Sequence, residues 1–415
     1  MIHKFDEKEL KNGGQKMTEK LYYKDSFLKE FKADIVSYKE EKGEYHLVLN
    51  KTAFYPEGGG QPADKGTIAL SKVKYVYEEN GEIYHIVDKL PEDKNNLVCK
   101  IDWERRFDLM QQHTGQHVLS ALIDDMFNAK TVGFHLGKNH VTVDTDIELT
   151  DKELDKAEDR INEVIYKNKN INSEFPGEEK LNDISLRKEA VVDENIRIVK
   201  INGVDVIPCG GTHLKQTGQI GVISIIDREK YKDGTRITFL CGKRALDDYK
   251  FKNNIVAEAR DSLGVQNKNI GSEIERLKED LDNKEKEIED LKNELLDFRV
   301  EKLIKSGEKF KDYRIINKVY EKENYSDIRL MANKLVEFDN TIVIFGQKNN
   351  NTSRLILGKS ANIEKTDMNK LIGEIMELLE GNGGGHEYFA QGGGSKPEKL
   401  AKAVELADKK IREEL

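Results

Sequence analysis

The sequence predicts an α+β protein: an N-terminal small β-barrel, an α+β unit carrying paired metal-ligand residues, coiled-coil helices and a C-terminal α/β domain. Three observations carry that prediction. Short apolar/polar alternations recur through residues 21–100. A helical stretch holding His113 and His117 is answered further along by Cys209 and His213. An apolar heptad runs from Ile270 to Phe298.

The 415 residues suffice for several domains, each with its own core. Lys and Arg number 68 against 77 Asp and Glu, a formal charge of −9, which argues against a nonspecific nucleic-acid coat but not against a local basic face. Charged residues make up 35% and hydrophobic ones 37%, a composition expected of long surface helices rather than of a disordered chain. No apolar run approaches the roughly 18 residues of a membrane helix, so no membrane partner is expected. The N-terminus lacks the apolar stretch of a secretion signal. Three cysteines (Cys99, Cys209 and Cys241) cannot build a disulfide framework, so reduced thiols and a cytoplasmic location are expected.

Residues 1–16 are expected to be disordered or untranslated. Gly13-Gly14, encodable as a ribosome-binding sequence, stands just before Met17, which is the expected natural start. Residues 17–100 hold the barrel. Ala33–Tyr38, Tyr45–Leu49, Gly66–Leu70, Lys72–Tyr77 and Ile83–Val87 alternate as half-buried strands between Lys/Glu/Gly turns.

Residues 101–250 form the α+β unit. A helix is expected from about Asp102 through Met126. A second begins after Thr150, where Thr-Asp-Lys-Glu has the form of a capping box. Strands follow at Ile196–Val199, Ile220–Ile226 and Arg236–Leu240. Within 251–300, Ile270, Ile274, Leu277, Leu281, Lys284, Ile288, Leu291, Leu295 and Phe298 are spaced alternately four and three apart, a coiled-coil seam with one polar member. So narrow a stripe needs a partner helix, from another chain or from this one. Residues 301–415 hold strands at Asn340–Phe345 and Arg354–Leu357, helices at Met368–Leu379 and Glu398–Glu413, and a glycine-rich loop between them.

His113-Thr-Gly-Gln-His117 places two imidazoles one helical turn apart on one face, a chelating pair. It lacks the glutamate of the HExxH proteases. Cys209-Gly-Gly-Thr-His213 adds a thiolate and a third imidazole, and a Cys/His3 donor set suits zinc. Four protein ligands ordinarily mark a closed structural site; catalysis requires a labile ligand or groups beside the metal. Gly58-Gly59-Gly60 permits either close backbone approach to a ligand or a tight barrel corner, and without a following Gly-Lys-Ser/Thr it is not a nucleotide P-loop. The cluster Gly381–Gly394, near Lys396, Lys399 and Lys402, fits an RNA backbone or a linker, and Tyr388 and Phe389 within it favour a docked loop.

Together, Thr52–Asp64 with its FYPEGGGQP core, the two ligand motifs and Gly383–Gly394 resemble the editing and C-terminal parts of alanyl-tRNA synthetases and their free-standing relatives, the AlaX proteins. The resemblance covers roughly residues 20–415. His386 stands where the synthetase tail usually has Arg, and the class II aminoacylation part is expected to be missing, as in the long AlaX form.

The resemblance implies trans-editing: hydrolysis of serine, with or without glycine, wrongly attached to tRNA(Ala), without aminoacylation. It implies one zinc per chain on His113, His117, Cys209 and His213, and a pocket formed by Thr52, Gln116, Gly210 and Thr212, with the Thr52 hydroxyl reading serine. It also implies tRNA binding through Gly383, Gly384, Gly385, His386, Gln391, Gly392, Gly393 and Gly394, and a homodimer through the coiled coil and the C-terminal domain. A non-catalytic zinc-containing tRNA-binding module is the alternative. A metal phosphoesterase is set aside because no Asp-His-His motif occurs.

Overall fold

The computed structural model describes residues 18–181, 183–188 and 196–415, and Met17 and the residues before it fall outside them. The chain is α+β and divides into two compact units at Ala259/Arg260.

In the first unit, the N-terminal alternations form a seven-stranded antiparallel sheet. Its order is Glu30–Ala33, Leu97–Ile101, Gly66–Ile68, Ser71–Glu79, Glu82–Val87, Glu44–Leu49, Ile35–Glu41. Inward residues such as Leu47, Leu49, Ile68, Val76, Ile83 and Val87 are fully or almost fully buried with Phe54 and Tyr22. Period-2 alternation makes one face apolar, and that face becomes the core.

Beyond it lies the Trp103–Phe127 helix, capped by the Asp102 carboxylate, which accepts from Arg105 N–H, and closed by left-handed Asn128. Every residue from Leu109 to Ile123 on this helix is buried, so its polar residues lie inside the protein and require partners. The helix packs on a four-stranded sheet ordered Thr131–Leu136, Val141–Thr145, Gly234–Cys241, Ile223–Tyr231, and against the Asp151–Tyr166 helix. The latter starts with both bonds of the expected capping box, Glu153 N–H to Thr150 Oγ1 and Thr150 N–H to the Glu153 carboxylate. Ile171–Glu174, Ile198–Ile201 and Asp205–Pro208 form a separate three-stranded sheet. The strand expected from Ile220 instead begins at Ile223. Gly221 turns the chain there with φ +84°, and a Cβ on it would come within 3.1 Å of the Gly242 Cα.

In the second unit, the Ile270–Ser306 helix carries the heptad. Its seam is exposed, from 41% at Ile274 to 65% at Phe298, and Lys284 pairs with Glu287 on the same helix at 2.6 Å. Only Leu296 and Val300 are buried, against the cluster that includes Ile328 and Met331. A mixed six-stranded sheet follows, ordered Glu308–Phe310, Tyr313–Tyr320, Thr341–Lys348, Ser353–Lys359, Phe389–Gly394, Gly381–His386. Ile342 and Ile344 pack with the Met368–Met376 and Leu400–Glu414 helices, while Val343 and Phe345 pack with the Tyr325–Val336 helix, as alternation requires.

The expected glycine loop is a β-hairpin, Gly381–His386 paired with Phe389–Gly394. Glycine is a poor strand former, but close packing overrides propensity here. A Cβ at Gly385 would lie 2.3 Å from the Phe389 carbonyl, one at Gly392 2.6 Å from Met376 Sδ, and one at Gly394 2.3 Å from the Leu379 carbonyl. Among the described residues, no helix is long and apolar enough to cross a membrane.

Candidate metal centre

The i, i+4 spacing sets the His113 and His117 rings 5.0 Å apart, and His213 completes a triangle at 4.4 and 4.6 Å from them. With Cys209 Sγ they form a group whose ligand atoms all lie within 4.8 Å of one another. Cys209 Sγ stands 3.2 Å from His213 Nε2 and 3.5 Å from His113 Nε2. The three imidazoles are buried, Cys209 is half-buried and Gly210 is exposed, so the group opens on the Cys209 side.

A polar group stands behind each imidazole. His113 Nδ1–H donates to Gln61 Oε1 at 2.9 Å. His213 Nδ1 lies 3.4 Å from Thr114 Oγ1. His117 Nδ1 lies 3.5 Å from the buried Asp205 carboxylate, which Arg187 holds through two bonds. Outward Nδ1 atoms leave Nε2 lone pairs to converge, the outer-partner pattern of metal-binding histidines. Gly211 N–H donates to Cys209 Sγ at 3.4 Å.

The electrostatics match. Burial opposes the Cys209 thiolate, but His113, His213 and His117 around it hold the thiol well below its usual range. Burial opposes the His117 imidazolium, yet Cys209 and Asp205 raise it to about 9. His213 is lowered to about 3, chiefly by burial. Burial also works against the Asp205 carboxylate, and His117 and Arg187 outweigh it to keep that pKa low. One soft thiolate and three convergent imidazoles form a donor set that zinc fits.

A glycine-rich turn and a glycine within the ligand helix make this possible. Gly58 and Gln61 exchange backbone bonds of 3.1 and 2.9 Å, a tight turn with Gly59 and Gly60 at positive φ. A Cβ on Gly60 would meet the Phe134 ring at 2.7 Å. The turn delivers Gln61, whose Oε1 also accepts from Thr212 N–H at 3.0 Å and whose Nε2 donates to Thr212 Oγ1 at 2.8 Å. Gly115, inside the histidine motif, lets the helix press on Cys241, since a Cβ there would meet Cys241 Sγ at 2.3 Å. The Arg106 guanidinium, fully buried, binds the equally buried Asp64 carboxylate and the Ala53 and Ser26 carbonyls, clamping the Thr52–Asp64 segment to the ligand helix.

Thr212 and Gly210 sit at the centre. Gln116 is buried on the same helix and donates to Ser120 Oγ at 2.8 Å. Thr52 is fully buried, with its hydroxyl 2.8 Å from His85 Nε2 and accepting from Phe54 N–H at 3.1 Å. His85 Nδ1–H donates to the Leu47 carbonyl, which can only accept, so the Thr52 proton goes to Nε2. The hairpin glycines, His386 and Gln391 belong to the other unit. There, Gly381–His386 is an exposed edge strand, Gln391 accepts from the Tyr325 hydroxyl at 2.9 Å, and Lys396 and Lys399 pair with Glu380.

Sequence reading missed Gln61, Asp205 and Arg106. Arg106 stands seven residues before His113, on the same helical face, a spacing that could have revealed it. Gln61 stands at the exit of the triple glycine. Nothing in the sequence points to Asp205.

Family models match three stretches of the chain: "tRNA synthetases class II (A)" over residues 3–105, "Threonyl and Alanyl tRNA synthetase second additional domain" over 196–238, and "DHHA1 domain" over 312–413. The alanyl-tRNA editing protein AlaX-L of Pyrococcus horikoshii is 34% identical, covering 96% of this chain and all of that protein. The alanine–tRNA ligase of Methanopyrus kandleri is 31% identical over 94% of this chain, which spans 44% of that enzyme. The solved C-Ala domain of Aquifex aeolicus alanyl-tRNA synthetase is 27% identical over 26% of this chain, with a TM-score of 0.25.

Proposed function

The chain belongs to the AlaX family of alanyl-tRNA editing proteins, and on that premise we propose that it is an aminoacyl-tRNA hydrolase that removes serine from mischarged tRNA(Ala). The observation that carries this reading is the convergence of His113, His117, Cys209 and His213 within 4.8 Å in a group open on the Cys209 side. In the reaction, water adds to the ester carbonyl, the bond to the ribose oxygen breaks, and the free amino acid and tRNA leave.

One zinc per chain would sit on His113, His117, Cys209 and His213, supplying a positive charge that orients a water or the amino group of the acyl moiety. The protein's own residues do the rest. Gln61, Thr114 and Asp205 fix the imidazoles, so little reorganisation is needed on substrate arrival. The Gly210 edge leaves room for the ester. Gln116 and Thr212 lie on the two ligand-bearing segments and complete the pocket. Thr52 has its proton committed to His85 and offers a lone pair, so it selects an acyl group that donates a hydrogen bond, as the serine hydroxyl does and an alanine methyl does not.

The exposed heptad from Ile270 to Phe298 pairs two copies, and the C-terminal unit strengthens that pairing. The exposed Gly381–His386 edge strand offers amides to the tRNA backbone. The decisive test is incubation of the purified protein with Ser-tRNA(Ala), Gly-tRNA(Ala) and Ala-tRNA(Ala), with and without a chelator. Loss of the seryl ester but not the alanyl ester, abolished by the chelator, is expected, and the glycyl ester reports whether the pocket admits an acyl group without a hydroxyl. Binding of tRNA(Ala) without ester loss would leave a non-catalytic module.

A further inference from the structure

On its open side the centre meets an aromatic face. Gly210 follows Cys209, and a Cβ on it would stand 3.5 Å from the Tyr23 hydroxyl. The Tyr23 ring packs edge-on against Phe175, centroids 5.5 Å apart at 70°. Phe175 is 50% exposed, in the stretch just after the Ile171–Glu174 strand. An exposed phenylalanine is unremarkable alone; this one stands beside the opening of the candidate centre.

Arg197 ties the two together. Its Nη1 donates to the Cys209 carbonyl at 2.9 Å and to the Gly211 carbonyl at 2.8 Å, while its guanidinium carbon lies 5.2 Å from the Tyr23 ring centre. Arg197 is 7% exposed.

We propose that Phe175, backed by Tyr23 and Arg197, is the stacking platform for the 3′-terminal nucleobase of the tRNA. This rests on the hydrolase reading, in which the ester lies at the Cys209–Gly210 edge; the base attached to the esterified ribose then has to lie within one nucleotide of that edge. Every base has a π-face, so an aromatic platform holds the terminal nucleotide without reading the tRNA sequence. The platform anchors the nucleotide whose ester is cleaved and leaves acyl selection to the Thr52 side.

The test uses the full chain and uncharged tRNA(Ala) whose terminal adenine is replaced by 2-aminopurine, a probe that needs no hydrolysis. Binding should lower the probe's emission. Phe175→Ala should restore the emission and weaken binding roughly tenfold, within the range for loss of one base–aromatic stack. Phe175→Trp should keep both properties, with metal content and melting temperature unchanged in both variants. An unchanged emission and affinity in Phe175→Ala overturns the proposal, as does loss of metal in that variant, which would make Phe175 a support of the fold. If the wild-type protein hydrolyses no ester, the hydrolase reading fails, while the probe still reports separately on the platform.

Discussion

Gly211 lies so close to His113 that a Cβ on it would meet the imidazole Cε1 at 2.2 Å and Nδ1 at 2.5 Å. The same atom would stand 2.9 Å from Gln61 Oε1, the acceptor that orients that ring. Three segments distant in sequence therefore meet at one contact that admits only a hydrogen. Gly211→Ala is expected to displace His113 and strip the centre. Elemental analysis should find about one zinc per wild-type chain and far less in the variant.

Gln61 should matter for the same reason, with a milder effect. Gln61→Leu keeps the volume but removes the acceptor for His113 Nδ1–H and both bonds to Thr212. Zinc affinity, measured by competition with a chromophoric chelator, should fall by about 10- to 100-fold.

The Arg106–Asp64 pair is fully buried, and removing one partner leaves a charge without its counterion. Asp64→Asn or Arg106→Met should destabilise the first unit by about 3–5 kcal/mol in denaturant unfolding. The double change Asp64→Asn/Arg106→Met should cost less than the sum of the two single changes.

Thr52→Val should relax the choice of acyl group rather than abolish hydrolysis. It replaces the accepting oxygen with a methyl and leaves His85 Nε2 without its donor. The Ser/Ala ratio of kcat/KM should fall by roughly tenfold or more. An unaltered ratio would remove Thr52 from substrate reading.

His85 is fully buried, and burial lowers its pKa from 6.5 to about 4, against a smaller opposing effect of the bond to Leu47. The depressed folded value means the unfolded chain binds the proton first as pH falls. The His85 contribution to stability is therefore fully present above about pH 6.5 and is lost towards pH 4, a change of about 3 kcal/mol. The wild-type urea midpoint, referenced to that of the non-titrating His85→Gln variant, should be constant above about pH 6.5 and fall as pH drops towards 4.

The heptad gives a separate test. Leu281 and Leu291 are 60% and 57% exposed along one stripe. Leu281→Glu/Leu291→Glu should convert a dimer to a monomer by light scattering without lowering the metal content. A species of unchanged mass would assign the seam another role.

The sequence by itself determined what repeats locally. Period-2 strands from Ile35 to Val87, the Thr150 capping box, the seam from Ile270 and the one-turn spacing of His113 and His117 all follow from a few neighbouring residues. It also determined that a Cys/His3 donor set exists, because the ligands come in two short motifs. Only the tertiary structure decided which groups support those ligands. Gln61, Asp205 and Arg106 are ordinary polar residues in the sequence, and burial beside a specific partner gives each its role. The glycine hairpin teaches the same lesson from the other side. Local propensity disfavours Gly381–Gly394 as strands, yet contacts with Met376 and Leu379 leave no room for a Cβ at Gly392 and Gly394. A local pattern shows in the sequence because its partners are a turn or a pleat away. A buried polar contact between distant segments does not, because what each residue requires is set by the neighbour that folding brings to it.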